Sequence, residues 1–102
     1  MIFGSLSMAK PSRYAVKKHA QIYKMLGNPK RLEILYRLCE GECSLKALEE
    51  MLGARKTNTV QHLGLMRLSG IVRVRYLNGQ ALYAIIDPRV VAHRKVLENI
   101  EL

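Results

Sequence analysis

Acidic residues are scarce in this chain. Eight Asp and Glu stand against 17 Lys and Arg, a formal charge of +9 over 102 residues, and such a surplus favours a polyanionic partner. Cysteine is nearly absent too. Cys39 and Cys43 are the only two, and two thiols in a reducing cytosol are the default for such a pair. No run of about eighteen apolar residues exists, so a membrane-spanning helix is not expected. The opening MIFGSLSMAK has no charged region ahead of its apolar start, which makes it a poor signal peptide. Internal repeats and low-complexity segments are missing. There is also no paired-carboxylate pattern, no Gly-rich phosphate loop, and no Ser or Cys nucleophile with an evident base, so an enzyme is not expected. What these absences leave is one cytoplasmic domain of ordinary globular composition, with residues 1–11 as a loose tail and 12–102 as the folded unit.

The most informative stretch runs from Ala54 to Ile86. From Thr57 to Leu68 the residues sort into two helical faces: Thr59, Leu63 and Met66 recur at i, i+4, i+7 and would face a core. Thr57, Val60, Gln61 and Gly64 fall on another side with Asn58 beside them, and Arg55 and Lys56 sit at the helix start. After Gly70 the period becomes two. Val72, Val74 and Tyr76 point one way, while Ile71, Arg73 and Arg75 point the other. Asn78-Gly79 is a strong hairpin signal, because both central positions of a type I′ turn need φ > 0. A two-residue turn there pairs Tyr76 with Ala81, Val74 with Tyr83 and Val72 with Ile85, all on one face. A helix with a polar outer face followed at once by a basic hairpin is the layout of a winged helix that reads DNA.

Upstream, Ser12 is placed to cap a first helix ending near Leu26, with Val16, Ala20, Tyr23 and Leu26 at helical spacing and Ala15, His19 and Ile22 widening the stripe. Asn28 and Pro29 restart a second helix, with Leu32, Leu35, Tyr36 and Cys39 on its buried side, Ile34 and Leu38 flanking, and Gly41 as the stop. Ser44 caps a short third helix whose inner face is Leu45, Leu48 and Leu52. Beyond the hairpin, Asp87-Pro88 repeats the cap-then-Pro signature and opens a last helix carrying Val90, His93, Leu97 and Ile100 at one pitch. The expected fold is mainly α with a β-hairpin wing: a winged helix-turn-helix in the order α-α-α-α-β-β-α.

That order resembles the ArsR/SmtB family of dimeric winged-helix repressors. The resemblance is carried by LGNPKRLEIL at the second helix, HLGLMRLSGIV at the end of the helix before the hairpin, and the Asn-Gly turn. It covers roughly Ile22 to Ile86 and implies a homodimer built on the first and last helices. The apolar excess of Val16, Ala20, Tyr23, Val90, Leu97 and Ile100 would then line the dimer seam, with His93 facing it. Many members of that family sense metals, through a Cys-x-Cys in the third helix or an Asp-x-His in the last. Here those positions are Ser44 with Lys46, and Asp87-Pro88-Arg89. A lysine ammonium cannot replace a thiolate, and Asp87 is sufficient as an N-cap. No metal or other cofactor is therefore expected. His62 is expected to pack or to bond backbone, and Cys39 to fill the core, while a thiol switch between Cys39 and Cys43 stays open.

The implied function is a sequence-specific, homodimeric repressor bound to double-stranded DNA. A helix of about fourteen residues is roughly 21 Å long and fits the major groove. On it, Gln61 and Asn58 can bond adenine, Thr57 can serve a base or a phosphate, Val60 can meet a thymine methyl, and Gly64 would permit close approach. Arg55 and Lys56 would take phosphate at the helix start. Arg73, Arg75, Asn78 and Gln80 would form the wing. A winged helix used for RNA or protein contacts, and a thiol-responsive regulator using Cys39 and Cys43, remain the alternatives.

Overall fold

The structure, a computed structural model, describes residues 10–87, 92 and 98–100. Helix α1 spans Arg13–Leu26 and begins where expected, with Ser12 Oγ accepting from the Ala15 N–H at 3.0 Å. Asn28 then caps α2 (Pro29–Leu38): its Oδ1 accepts from the N–H groups of Lys30 and Arg31 at 3.0 and 3.1 Å. Pro29 at the first turn forfeits nothing, because that N–H would have no helical partner.

The buried side of α2 departs from the expectation. Ile34, Leu35 and Leu38 are buried, while Leu32, Tyr36 and Cys39 are half-buried. Leu35 is buried as expected, but Ile34 and Leu38, read as flanks, join it in the core in place of the other three. The reason is that α2 contacts α1 and three further elements introduced below, α3, α4 and β3. A helix packed on several sides turns its apolar arc toward the common centre, and spacing alone does not say where that centre lies.

A two-residue strand follows, β1 (Cys43–Ser44), which sequence periodicity did not reveal. Two residues carry no readable alternation. Ser44 closes the strand and also caps α3 (Leu45–Leu52), its Oγ accepting from the Ala47 N–H at 3.1 Å. Leu48 and Leu52 are buried and Leu45 packs against them, as the spacing requires. Gly53 ends α3 in the left-handed conformation, φ 60°. A short turn leads to α4 (Lys56–Leu68). Thr59, Leu63 and Met66 are fully buried, as expected. The Thr59 hydroxyl is satisfied by donating to the Arg55 carbonyl at 3.2 Å.

Strands β2 (Val72–Leu77) and β3 (Gln80–Ile85) pair antiparallel in the expected register: Val72 with Ile85, Val74 with Tyr83, Tyr76 with Ala81. Asn78 and Gly79 have φ of 50° and 78°, the two positive values that a type I′ turn needs. β1 adds to the other edge of β3, giving the order β1-β3-β2. Val72 and Tyr83 are buried, but Tyr76 on the same face is 73 % exposed. The hairpin therefore leaves the core at its base and projects at its tip. Ile71, expected on the outer face with Arg73 and Arg75, is buried instead. It precedes β2 and escapes the strand's alternation: its N–H bonds the Met66 carbonyl, and its own carbonyl accepts from Ile86. Of the expected last helix, Ala92 and Glu98 are helical, while Val90, His93 and Leu97 lie outside the described residues, as do residues 1–9 of the expected tail.

Candidate nucleic-acid interface

Helix α4 sends Thr59, Leu63 and Met66 into the core, which turns the polar row of its N-terminal half outward. Thr57, Asn58, Val60 and Gln61 are exposed and Gly64 is half-buried. Thirteen residues make it about 20 Å long. Arg55 occupies the N-cap without a side-chain cap bond, and no acid stands in the first turn. The N-terminal end thus carries open N–H groups, the positive end of the helix dipole, and the cations Arg55 and Lys56. A Cβ built on Gly64 would meet nothing within 4 Å, so folding does not require glycine there.

The wing approaches this end of α4. A cavity of about 350 Å³ is bordered by Lys46 and Glu49 of α3, Lys56 of α4, Gly79 of the turn and Gln80 at the start of β3. Lys56 and Gln80, placed on one surface by sequence reasoning, do come together. Lys46 joins them and had been read only as an unsuitable metal ligand; its place in the first turn of a capped helix was the usable signal. On the wing's outer face, Arg75 is tied to Glu42 by two bonds, Nε to Oε2 at 2.7 Å and Nη2 to Oε1 at 2.8 Å. The fork holds the Glu42 carboxyl below the ordinary carboxylate range. Sequence reading missed this pair, because 33 positions separate its partners and only the β1-β3-β2 order makes them neighbours. Arg73, two residues along the same strand face, is exposed and forms no ion pair among the described residues.

Comparison with known proteins agrees with this geometry. Residues 28–74 match the model of the bacterial regulatory protein, arsR family. The chain is 33 % identical over 86 residues to an uncharacterized HTH-type transcriptional regulator, MJ1325 of Methanocaldococcus jannaschii, covering 82 % of this chain and 96 % of that one. The chain belongs to the arsR family. It is 36 % identical over 70 residues to the biofilm growth-associated repressor of Xylella fastidiosa, covering 69 % of this chain and 61 % of that protein's length. Among solved structures it resembles the homodimeric winged helix-turn-helix DNA-binding domain of Mb0332 from Mycobacterium bovis. There the TM-score is 0.75 at 26 % identity, over 90 % of this chain and 91 % of that one.

Within this arsR-family chain, His62 has a more specific setting than expected. Its Nδ1 lies 3.2 Å from Nη1 of Arg31, whose Nε donates to the Met25 carbonyl at the end of α1. His62 is thus half-buried, as packing requires, and its ring meets a side chain from another helix. Burial first, then the charges of Arg31 and Lys30, hold its pKa below the usual histidine value. The neutral ring with an unprotonated Nδ1 is the form that can accept from Arg31. Cys39, expected to fill the core, is instead half-buried at the C-cap of α2, and Cys43 is the buried cysteine. Neither is in a disulfide. Among the described residues, no three His, Cys, Asp or Glu converge as a metal site would require, and no helix is long and apolar enough to cross a membrane.

The surface of α1 is of another kind. Val16 is 52 % and Tyr23 59 % exposed, and Ala20 is exposed as well. Ile100 is half exposed. Leu65 and Leu68 at the end of α4 form an apolar shoulder next to Lys18, Gln21 and Ile22 of α1, and Leu68 is 88 % exposed. Sequence reading did not single out that shoulder.

Proposed function

We propose that this chain is a sequence-specific DNA-binding transcriptional regulator, acting in the cytoplasm as a homodimeric repressor on an inverted-repeat operator, and not an enzyme. The observation that carries the reading is the outward polar face of α4, with Lys46, Lys56 and the wing turn gathered at its positive end. In a major groove, Gln61 and Asn58 read base edges, Val60 meets a thymine methyl, and Thr57 reaches a base or phosphate. Arg55, Lys56 and Lys46 fix the register on phosphate, with Asn78, Gln80 and Arg73 contributing from the wing. Arg75 contributes through the Glu42 fork, which braces the strand that carries Arg73. Val16, Ala20, Tyr23 and Ile100, with Val90, His93 and Leu97, supply the dimer seam. The homodimeric state of the Mb0332 domain and the repressor role of the Xylella fastidiosa relative support this assignment. Occupying the operator blocks transcription. The inducer is not a metal held at the family's usual position in α3, where Ser44 is engaged as a helix cap and Lys46 is a cation.

Selection of bound sequences from a random duplex pool tests the reading. The expected product is a two-fold symmetric site with half-sites about one helical turn, roughly 34 Å, apart. A pool left unenriched, with retention of single-stranded RNA instead, would overturn it.

A further inference from the structure

A second cleft, of about 550 Å³, lies between the C-terminal half of α4 and the edge strand β2. Arg67 stands on its helix wall and Arg73 on its strand wall, and no carboxylate lines it. Both arginines are exposed. Gly64 leaves the helix wall open, since a Cβ there would meet nothing within 4 Å. The remaining lining is apolar: Val72, Val74 and Leu68. Arg75, the next arginine on the strand, is forked to Glu42, whereas Arg73 forms no ion pair among the described residues and meets that carboxylate only as a nearby charge.

We propose that this cleft seats a DNA phosphodiester, clamped between Arg67 of the helix and Arg73 of the wing strand. The proposal rests on the DNA reading above and assigns a role to Arg67, which that reading does not use. A guanidinium presents a rigid fork of N–H donors that matches a phosphate's paired oxygens. Two forks on opposite walls can each take one non-bridging oxygen. Val74 and Leu68, which keep exposed surface, then face the apolar edge of deoxyribose, a surface that a small free anion lacks. With α4 in a major groove, the backbone strand flanking the C-terminal half of that helix is the one that would enter the cleft at the hairpin base. Gly64 keeps that passage clear.

The test uses the full chain, with binding to the selected duplex and to a random duplex measured by anisotropy over a salt series. Arg67→Ala and Arg73→Ala are each expected to weaken both duplexes alike by about tenfold, and to flatten the log affinity–log salt slope by about one. The double variant is expected to lose less than the product of the single losses, because the two groups share one phosphate. Gly64→Leu is expected to weaken both duplexes while leaving the thermal midpoint at or above the wild-type value. This variant keeps the proposal open to refutation if Arg67→Ala folds poorly. Wild-type affinity and slope in both Arg67→Ala and Gly64→Leu would overturn the seat while Lys56-dependent DNA binding stood. A wild-type protein that binds no duplex would instead overturn the DNA reading beneath it. Tight, saturable binding of inorganic phosphate at constant ionic strength, abolished by Arg67→Ala, would reassign the cleft to a free anion.

Discussion

Helices α4 and α1 are nearly equal in length, 13 and 14 residues, yet they divide their residues in opposite ways. α4 buries Thr59, Leu63 and Met66 completely and, ahead of its exposed apolar end at Leu65 and Leu68, shows water a row that includes Thr57, Asn58 and Gln61. α1 buries only Met25 and leaves Val16 and Tyr23 more than half exposed. A polar face on a well-anchored helix suits a hydrated, hydrogen-bonding partner such as a groove of DNA. An apolar face on a lightly anchored helix suits another protein surface, and a second copy of this chain is the partner proposed above.

The sharpest way to break this contrast is to remove an anchor. Leu63→Ala is expected to cost about 2–5 kcal/mol of folding stability, because it empties a fully buried site on α4. Urea denaturation would show a lower midpoint at an unchanged slope. Val16→Asp on α1 should do little to the fold of one subunit, since the side chain is already half in water. Its effect belongs to the dimer, where burying such a group is worth about 1.5–3 kcal/mol. Sedimentation at micromolar concentration is expected to shift from dimer to monomer. A variant that stayed dimeric would put the seam somewhere other than α1.

The same contrast explains what could be read in advance. The starts of α1, α2 and α3 were legible because one side chain does the work locally: Ser12, Asn28 and Ser44 each bond an N–H two or three positions ahead. The hairpin register was legible because turn chemistry and alternation are independent and agree. What escaped depends on neighbours far along the chain. Glu42 meets Arg75 only through a strand of two residues. The rotation of the α2 core face follows from what surrounds that helix, and Arg31 finds His62 across 31 positions. In the candidate interface, the residues of α4 were legible as a face, but Lys46 and Arg67 were not, since each becomes relevant only when another element closes a cleft around it.

On the polar side of the comparison, two substitutions should separate recognition from attraction. Gln61→Ala is expected to cost about 1–3 kcal/mol on the selected duplex and nearly nothing on a random one, because a base-edge contact carries sequence information. Lys56→Ala should weaken both duplexes by the same factor and flatten the salt slope, as a phosphate contact does. Equal losses from both variants on both duplexes would mean that α4 is attracted to DNA without reading it.

The smallest effect expected concerns the link between the two helices. Arg31 bonds the carbonyl of Met25 at the end of α1 and faces Nδ1 of His62 on α4, so one guanidinium ties the apolar helix to the polar one. The tie needs an unprotonated Nδ1. Because the folded-state pKa of His62 lies below its ordinary value of 6.5, the unfolded chain takes up this proton more readily than the folded one. Acid therefore favours unfolding through this group. Its contribution is complete above about pH 6.5 and is lost as the pH falls through the lower, folded-state pKa. Glu42 has the same sign in a separate window, since its depressed carboxyl pKa confines its loss of stability to pH values below 4.5. His62→Gln keeps an acceptor for Arg31 but cannot titrate. Stability measured from pH 7.5 to 5 is expected to decline in the wild type and to stay flatter in the variant. Equal slopes in the two proteins would assign the decline to some other group and leave Arg31 as a strut that pH does not reach.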